Sequence, residues 1–261
     1  MDWLQAFILG VIQGLTEFLP VSSSGHLELG KHILGVEIRQ NLTFTVVVHG
    51  ATVLSTIVVF WNTLSQLARD FFQFQWNESS KYLLKIFLSM IPVLIVGLFF
   101  QAEIETLFTG NLLFVGIMLC ITAMLLALTY HAAERQREIT YIDSILIGVA
   151  QALAVLPGIS RSGATIATGL YLGNKREDIA RFSFLMVLVP ILGANLKSLM
   201  DTGLNTEPAV GITPLVVGFL AAFLSGLIAC RWMLRIVVKG KLIYFSIYCL
   251  IIGSIAIISA F

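Results

Sequence analysis

The chain has 261 residues, 57% of them apolar and 12% charged, with a net charge of +1 and a mean hydropathy of +0.92. A soluble domain carries roughly twice that charged fraction, so an ordinary soluble enzyme is excluded, and the balanced charge implies no nucleic-acid partner. What remains is a polytopic membrane protein, expected to be a single integral-membrane domain over residues 1–261, since no polar stretch is long enough to build a second core.

Taken in chain order, the N-terminal MDWLQAFILG lacks a positive n-region and a small-residue cleavage site, and does not read as a cleaved signal peptide. The stretch 3–19 runs into PVSSSG and then a short helix to about Leu34. Apolar stretches at 43–61, 82–100 and 112–130 follow, each near the 20 or so residues that cross a bilayer. The stretch 139–156 runs into PGISRSG and a short helix to about Leu172. Further spans are predicted at 179–200, 214–233 and 242–261. The two helix–break–helix segments are the pattern of re-entrant hairpins, because irregular backbone at membrane depth is tolerated only inside protein or against a wet cavity. Cys120, Cys230 and Cys249 lie in apolar runs and read as packing residues, in neither disulfide nor zinc spacing.

The halves are related. A shift of 138 residues lays Gly10 on Gly148, Gln13 on Gln151, Ser22 on Ser160, Ser24 on Ser162 and Gly25 on Gly163. Each half then holds one hairpin and three spans, in repeats of about 1–131 and 139–261. An odd number of spans between the hairpins makes the second enter from the opposite face. The expected fold is therefore all-α, with six transmembrane helices and two re-entrant hairpins in inverted-topology repeats. Every lysine and arginine except Lys31, Arg39, Lys197 and Arg161 falls on one side of this scheme. That side reads as cytoplasmic, which puts both termini and the first hairpin outside.

The chemistry gathers in the breaks. Gln13 and Glu17 share a helix face, and a carboxylate at depth needs a partner. Arg161, the basic residue left over by the topology, supplies one. SSSG and SRSG each open a short helix, where serine is a preferred cap. Two helix N-termini aimed at one point and joined by Arg161 form an anion site for phosphate, with Gly25 and Gly163 permitting close backbone approach. His26 follows the first loop as a candidate base, acid or nucleophile. His32 and His131 read as interfacial or loop histidines, and His49, inside a span, is ambiguous. A carboxylate beside phosphate oxygens calls for a divalent cation, Mg²⁺ or Ca²⁺, on Glu17, or else for Glu17 as a base toward Ser23 or water. The set reads as a phosphoryl-transfer site for a lipid phosphate or diphosphate.

The motifs also resemble a known family. QGLTEFLPVSSSGH resembles the (E/Q)-x-x-x-E motif and serine-glycine-histidine loop of the undecaprenyl-diphosphate phosphatases of the bacitracin-resistance type, and PGISRSGAT resembles their P-G-x-S-R-S-x-x-T motif at every fixed position. The resemblance covers essentially the whole chain. It implies hydrolysis of undecaprenyl diphosphate to undecaprenyl phosphate and phosphate, recycling of the cell-wall lipid carrier, bacitracin resistance and a bacterial plasma-membrane location. Carried over by position, Glu17, Ser23, His26 and Arg161 are the catalytic set, while Gln13, Ser22, Ser24, Gly25, Ser160, Ser162, Gly163 and Thr165 line the diphosphate site. Ser23 is the favoured nucleophile, with His26 and water as competitors. The partners implied are the lipid diphosphate and the bilayer, with a homodimer left open.

Two rivals compete. A polyprenyl-phosphate flippase or transporter would use the same anion site in the same architecture, but it has no need of Glu17 beside His26. The acid-phosphatase type of membrane lipid phosphatase shares the Ser24–His26 triplet, but it requires a histidine six residues after the second-motif arginine, where this chain has Ala167.

Overall fold

The computed structural model describes residues 1–36, 42–107, 111–132, 135–202 and 210–260. Arg39 and Phe261, used in the predicted topology, lie outside the described residues. Helices α1 (Trp3–Phe18) and α2 (Ser23–Ile33) precede α3 (Leu42–Val59), α4 (Trp61–Phe71), α5 (Glu78–Phe99), α6 (Gln101–Leu107) and α7 (Leu112–Leu128), which tightens into a 3-10 turn at Thr129–His131. The second half runs α8 (Tyr141–Leu153), α9 (Arg161–Tyr171), α10 (Arg176–Met186), α11 (Leu188–Thr202), α12 (Ile212–Val238) and α13 (Ile243–Ile258).

Both predicted helix–break–helix segments are present, as α1–α2 and α8–α9. The six predicted spans are not all simple. Among the described residues four helices are long and apolar enough to cross a membrane: Glu78–Phe99, Leu112–His131, Arg176–Lys197 and Ile212–Val238. The predicted span at 43–61 bends by 77° at Phe60, between α3 and α4, and makes a fifth only if the bent pair is one span. The stretch 242–261 forms a 16-residue helix, which rises about 24 Å, short of a 30 Å hydrocarbon core. The span at 179–200 is divided at Val187 between α10 and α11. Pro190 explains the division, since its ring clashes with the carbonyl four residues back, on Met186.

The internal repeat extends to the helix ends. Asp2 caps α1 in a capping box with Gln5, and Thr140 caps α8 in one with Asp143, 138 residues on. Ser22 accepts from the Gly25 amide and Ser160 from the Gly163 amide. Gly35 and Gly173 close α2 and α9 in the left-handed region, at φ +64° and +83°, where glycine carries no Cβ penalty.

Packing crosses between the halves. Helix α1 lies against α12, α8 against α5, and α7 against α13. Matching glycines make the first two contacts close. A Cβ on Gly10 would stand 2.5 Å from the Gly218 carbonyl oxygen, and one on Gly148 would run into the Ser89 carbonyl. Ile147, Ile166, Phe182 and Met233 fill the largest buried cluster, whereas Phe87, Leu98, Leu224, Ile228 and Ile251 are exposed. An apolar exterior of this kind suits a chain solvated by lipid. Gly148→Ala is expected to destabilise the protein by about 1–3 kcal/mol through overpacking, read as a lowered melting temperature in detergent. Gly97→Ala, where no atom lies within 4 Å of the new Cβ, is the control and should melt like the wild type.

Candidate active site

Helix α1 ends at Phe18, and Leu19 turns extended, the conformation that a following proline demands. Glu17 is thereby held in the last turn, one turn beyond Gln13. Ser22 adopts φ +69°, a left-handed conformation that a non-glycine residue keeps only where its surroundings enforce it. Its carbonyl takes the His26 ring, its hydroxyl caps α2, and the turn brings Ser23 back over α1.

The result is a cluster around one carboxylate. Glu17 Oε2 accepts from Ser23 Oγ at 2.7 Å and from Gln13 Nε2 at 2.8 Å. Glu17 Oε1 accepts from Arg161 at 2.7 Å, joining motifs 144 residues apart in the chain. The Glu17 side chain is 8% exposed and that of Arg161 28%, so the pair is dry on the acid side and reachable on the basic side. Burying a charge pair is weak evidence of stability; the wet flank of Arg161 is where an anion can be gripped.

The two loops interlock. Ser162 Oγ donates to the Leu19 carbonyl at 3.3 Å. A Cβ on Gly25 would lie 3.2 Å from the Gly158 Cα, and one on Gly163 would lie 3.3 Å from the Pro20 Cβ. Each glycine thus lets the start of one short helix approach the loop of the other hairpin. Thr122 of α7 donates to the Gly158 carbonyl and accepts from the Ser160 amide, both at 3.1 Å. On the other loop the Cys249 thiol points at the Pro20 carbonyl, 3.7 Å away. The three cysteines are free.

The remaining residues singled out in the sequence fall around this core. Ser24 Oγ lies 3.4 Å from Ser22 Oγ, and Ser160 Oγ lies 3.3 Å from Ser162 Oγ. Thr165 donates to the Arg161 carbonyl at 2.8 Å and meets the Ser183 hydroxyl at 2.5 Å. His26 is placed differently from the expected cluster. Its Nδ1 faces the Ser22 carbonyl at 2.9 Å and so carries the proton. Its Nε2 accepts from the Tyr248 hydroxyl at 2.9 Å, with the two rings stacked. Both ring nitrogens are therefore engaged away from Ser23, Glu17 and Arg161.

The structure adds His49, whose Nε2 lies 3.9 Å from Glu17 Oε2 while its Nδ1 meets the Thr45 carbonyl at 2.8 Å. A polar residue inside an apolar span was the one signal available for it. Tyr248 and Ser183 had none, since each sits in a run with no motif. A small, partly open cavity lies beside the cluster, lined on its polar side by Glu17, Arg161, Ser162, Thr165, Ser183 and Gln151.

The donor set can be tested against a divalent cation. Among the described residues no three His, Cys, Asp or Glu side chains converge. Ser23 Oγ lies against Glu17, however, and Gln13, whose amide nitrogen holds Glu17, has a buried Oε1 with no hydrogen-bond partner among the described residues. One carboxylate with neutral oxygens suits Mg²⁺ or Ca²⁺, which complete their shells with water and substrate oxygens.

A family model described as "Bacitracin resistance protein BacA" matches residues 6–255. An undecaprenyl-diphosphatase of Parabacteroides distasonis is 54% identical, covering 98% of each chain. One of Bacteroides fragilis is 53% identical over 99% of this chain and 98% of its own. A Bacillus cereus protein named undecaprenyl-diphosphatase 1 is 36% identical over 98% of this chain and 97% of its own.

Proposed function

The chain belongs to the bacitracin resistance protein family, and from that premise we infer that it is an undecaprenyl-diphosphatase. It is a multi-pass membrane hydrolase that cleaves undecaprenyl diphosphate to undecaprenyl phosphate and inorganic phosphate. The reaction returns the lipid carrier to cell-wall synthesis and confers bacitracin resistance by consuming the diphosphate form. The observation that carries the reading is the convergence of Ser23 and Arg161 on Glu17.

In the proposed chemistry Arg161 and the N-terminal amides of α2 and α9 bind the diphosphate oxygens. Ser23, hydrogen-bonded to Glu17, attacks the terminal phosphorus as its proton moves to the carboxylate. The bond to the bridging oxygen breaks, undecaprenyl phosphate leaves, and water then releases phosphate from the serine. His26, held by Ser22 and Tyr248, is the competing nucleophile, and direct attack by water is the third route. Gln13, Ser22, Ser24, Ser160, Ser162 and Thr165 shape the loops that present these groups. Glu17, Gln13 Oε1 and Ser23 would hold the divalent cation, which when bound supplies charge neutralisation at the phosphate.

The finer architecture belongs to the same proposal: six membrane crossings and two re-entrant hairpins, in one domain of two inverted repeats. The matched caps at 2 and 140 and the crossed packing of α1 and α8 support it. With the basic side cytoplasmic, the termini and the opening to the site face outward from the bacterial inner membrane.

Purified protein in detergent is expected to release phosphate from a long-chain isoprenyl diphosphate. Adding a chelator should lower the rate at least tenfold, about 1.4 kcal/mol of barrier, and Mg²⁺ or Ca²⁺ should restore it. Undiminished release in chelator would remove the cation from the proposal. Binding without any release would remove the phosphatase.

A further inference from the structure

Gln151 of α8 is 1% exposed, lines the cavity beside Arg161, and has an Nε2 with no hydrogen-bond partner among the described residues. Its counterpart in the first half is Gln13, whose Nε2 is satisfied by Glu17 one helical turn on. The same step from Gln151 reaches Val155, an apolar side chain with nothing to accept. Buried amide groups are ordinarily paired, so Gln151 keeps a donor for an acceptor that the described residues do not supply. The polar wall around it carries the Arg161 guanidinium beside its partner Glu17, and the Thr165 and Ser183 hydroxyls, which are satisfied by each other and by the Arg161 carbonyl. The facing wall is hydrocarbon, from Phe18, Phe184 and Ile191. A guanidinium and an unpaired amide on one side and hydrocarbon on the other fit a phosphate group that carries an alkyl chain better than a bare phosphate.

We propose that this cavity is the seat of the lipid-borne phosphate of the substrate, with Gln151 donating to one of its oxygens. The terminal phosphate then lies across Arg161, against Ser23 and Glu17. The two repeats divide the diphosphate between them: the glutamine followed by a carboxylate serves the phosphate that is attacked, and the glutamine without one holds the phosphate that leaves on the lipid. The proposal rests on the phosphatase reading for its meaning, but binding can be measured without turnover.

The full chain in detergent would be titrated with a long-chain isoprenyl monophosphate and, separately, with inorganic phosphate. Gln151→Met keeps the side chain's volume and removes the donor, and Gln151→Glu presents a carboxylate. Monophosphate binding is expected to weaken about tenfold in the first and further in the second, as for loss of a hydrogen bond to a charged group, with inorganic phosphate binding unchanged. Unchanged monophosphate affinity in a variant that melts like the wild type overturns the proposal. So does weakened binding of inorganic phosphate alone, which would make the cavity the seat of the departing ion. Should both variants fail to fold, Gln151→Asn, which keeps the amide but withdraws the donor by one methylene, must weaken the monophosphate at least threefold or the proposal falls. Wild-type protein that binds the monophosphate but never releases phosphate would leave the cavity assignment standing and overturn the phosphatase instead.

Discussion

Glu17→Gln is expected to lower phosphate release from a long-chain isoprenyl diphosphate by about 10³-fold, within the 10²–10⁴ range of general acid–base catalysis. The amide matches the carboxylate in size, so Gln13 and Ser23 keep a neighbour, but three things are lost together. The group that takes the Ser23 proton is gone. The charge that orients Arg161 at 2.7 Å is gone, and an amide N–H cannot face a guanidinium without repulsion. The anionic oxygen offered to a cation is gone as well. Steady-state release by purified protein, alongside melting in detergent, checks the result. A variant that keeps more than a tenth of wild-type activity would rule out Glu17 as the centre of the chemistry.

Arg161→Lys is expected to cost about 10²-fold, the scale of losing one aimed donor to a developing oxyanion. Lysine keeps the charge and can still reach toward Glu17. It cannot offer the planar fork that grips a carboxylate and a phosphate oxygen at once. Alanine is the poorer probe, because it strands a buried carboxylate and confuses folding with catalysis. The loss is expected mainly in kcat/KM. If lysine supports wild-type kcat/KM, charge alone suffices and the bidentate grip is not used.

The relatives named above carry the name of a phosphatase, and the second motif, with Ala167 in place of a histidine, keeps the chain apart from the acid-phosphatase type. The neighbourhood of the carboxylate differs from expectation in one respect. The sequence motif places His26 beside Glu17, yet it is His49 that lies near that carboxylate, while His26 is paired with Tyr248.

What the chain order encodes is local. Membrane residence follows from the density of apolar residues. The breaks after Phe18 and Leu153 follow from Pro20 and Pro157, the caps from Ser22 and Ser160, and the relation between halves from side chains repeated at one offset. Each of these acts within about a turn of helix, so the residues that cause it are sequence neighbours. Even the pairing of Glu17 with Arg161 was legible, because a lone acid and a lone base at membrane depth have no other partners of comparable strength. The bend at Phe60, the approach of His49 and Tyr248, and the unpaired amide of Gln151 were decided by tertiary structure alone. They depend on which helix faces meet, and that is set by glycine contacts such as Gly10 on α12 and Gly148 on α5. Close packing of apolar surfaces is specific in three dimensions but looks alike in sequence, where one leucine-rich helix face reads much like another.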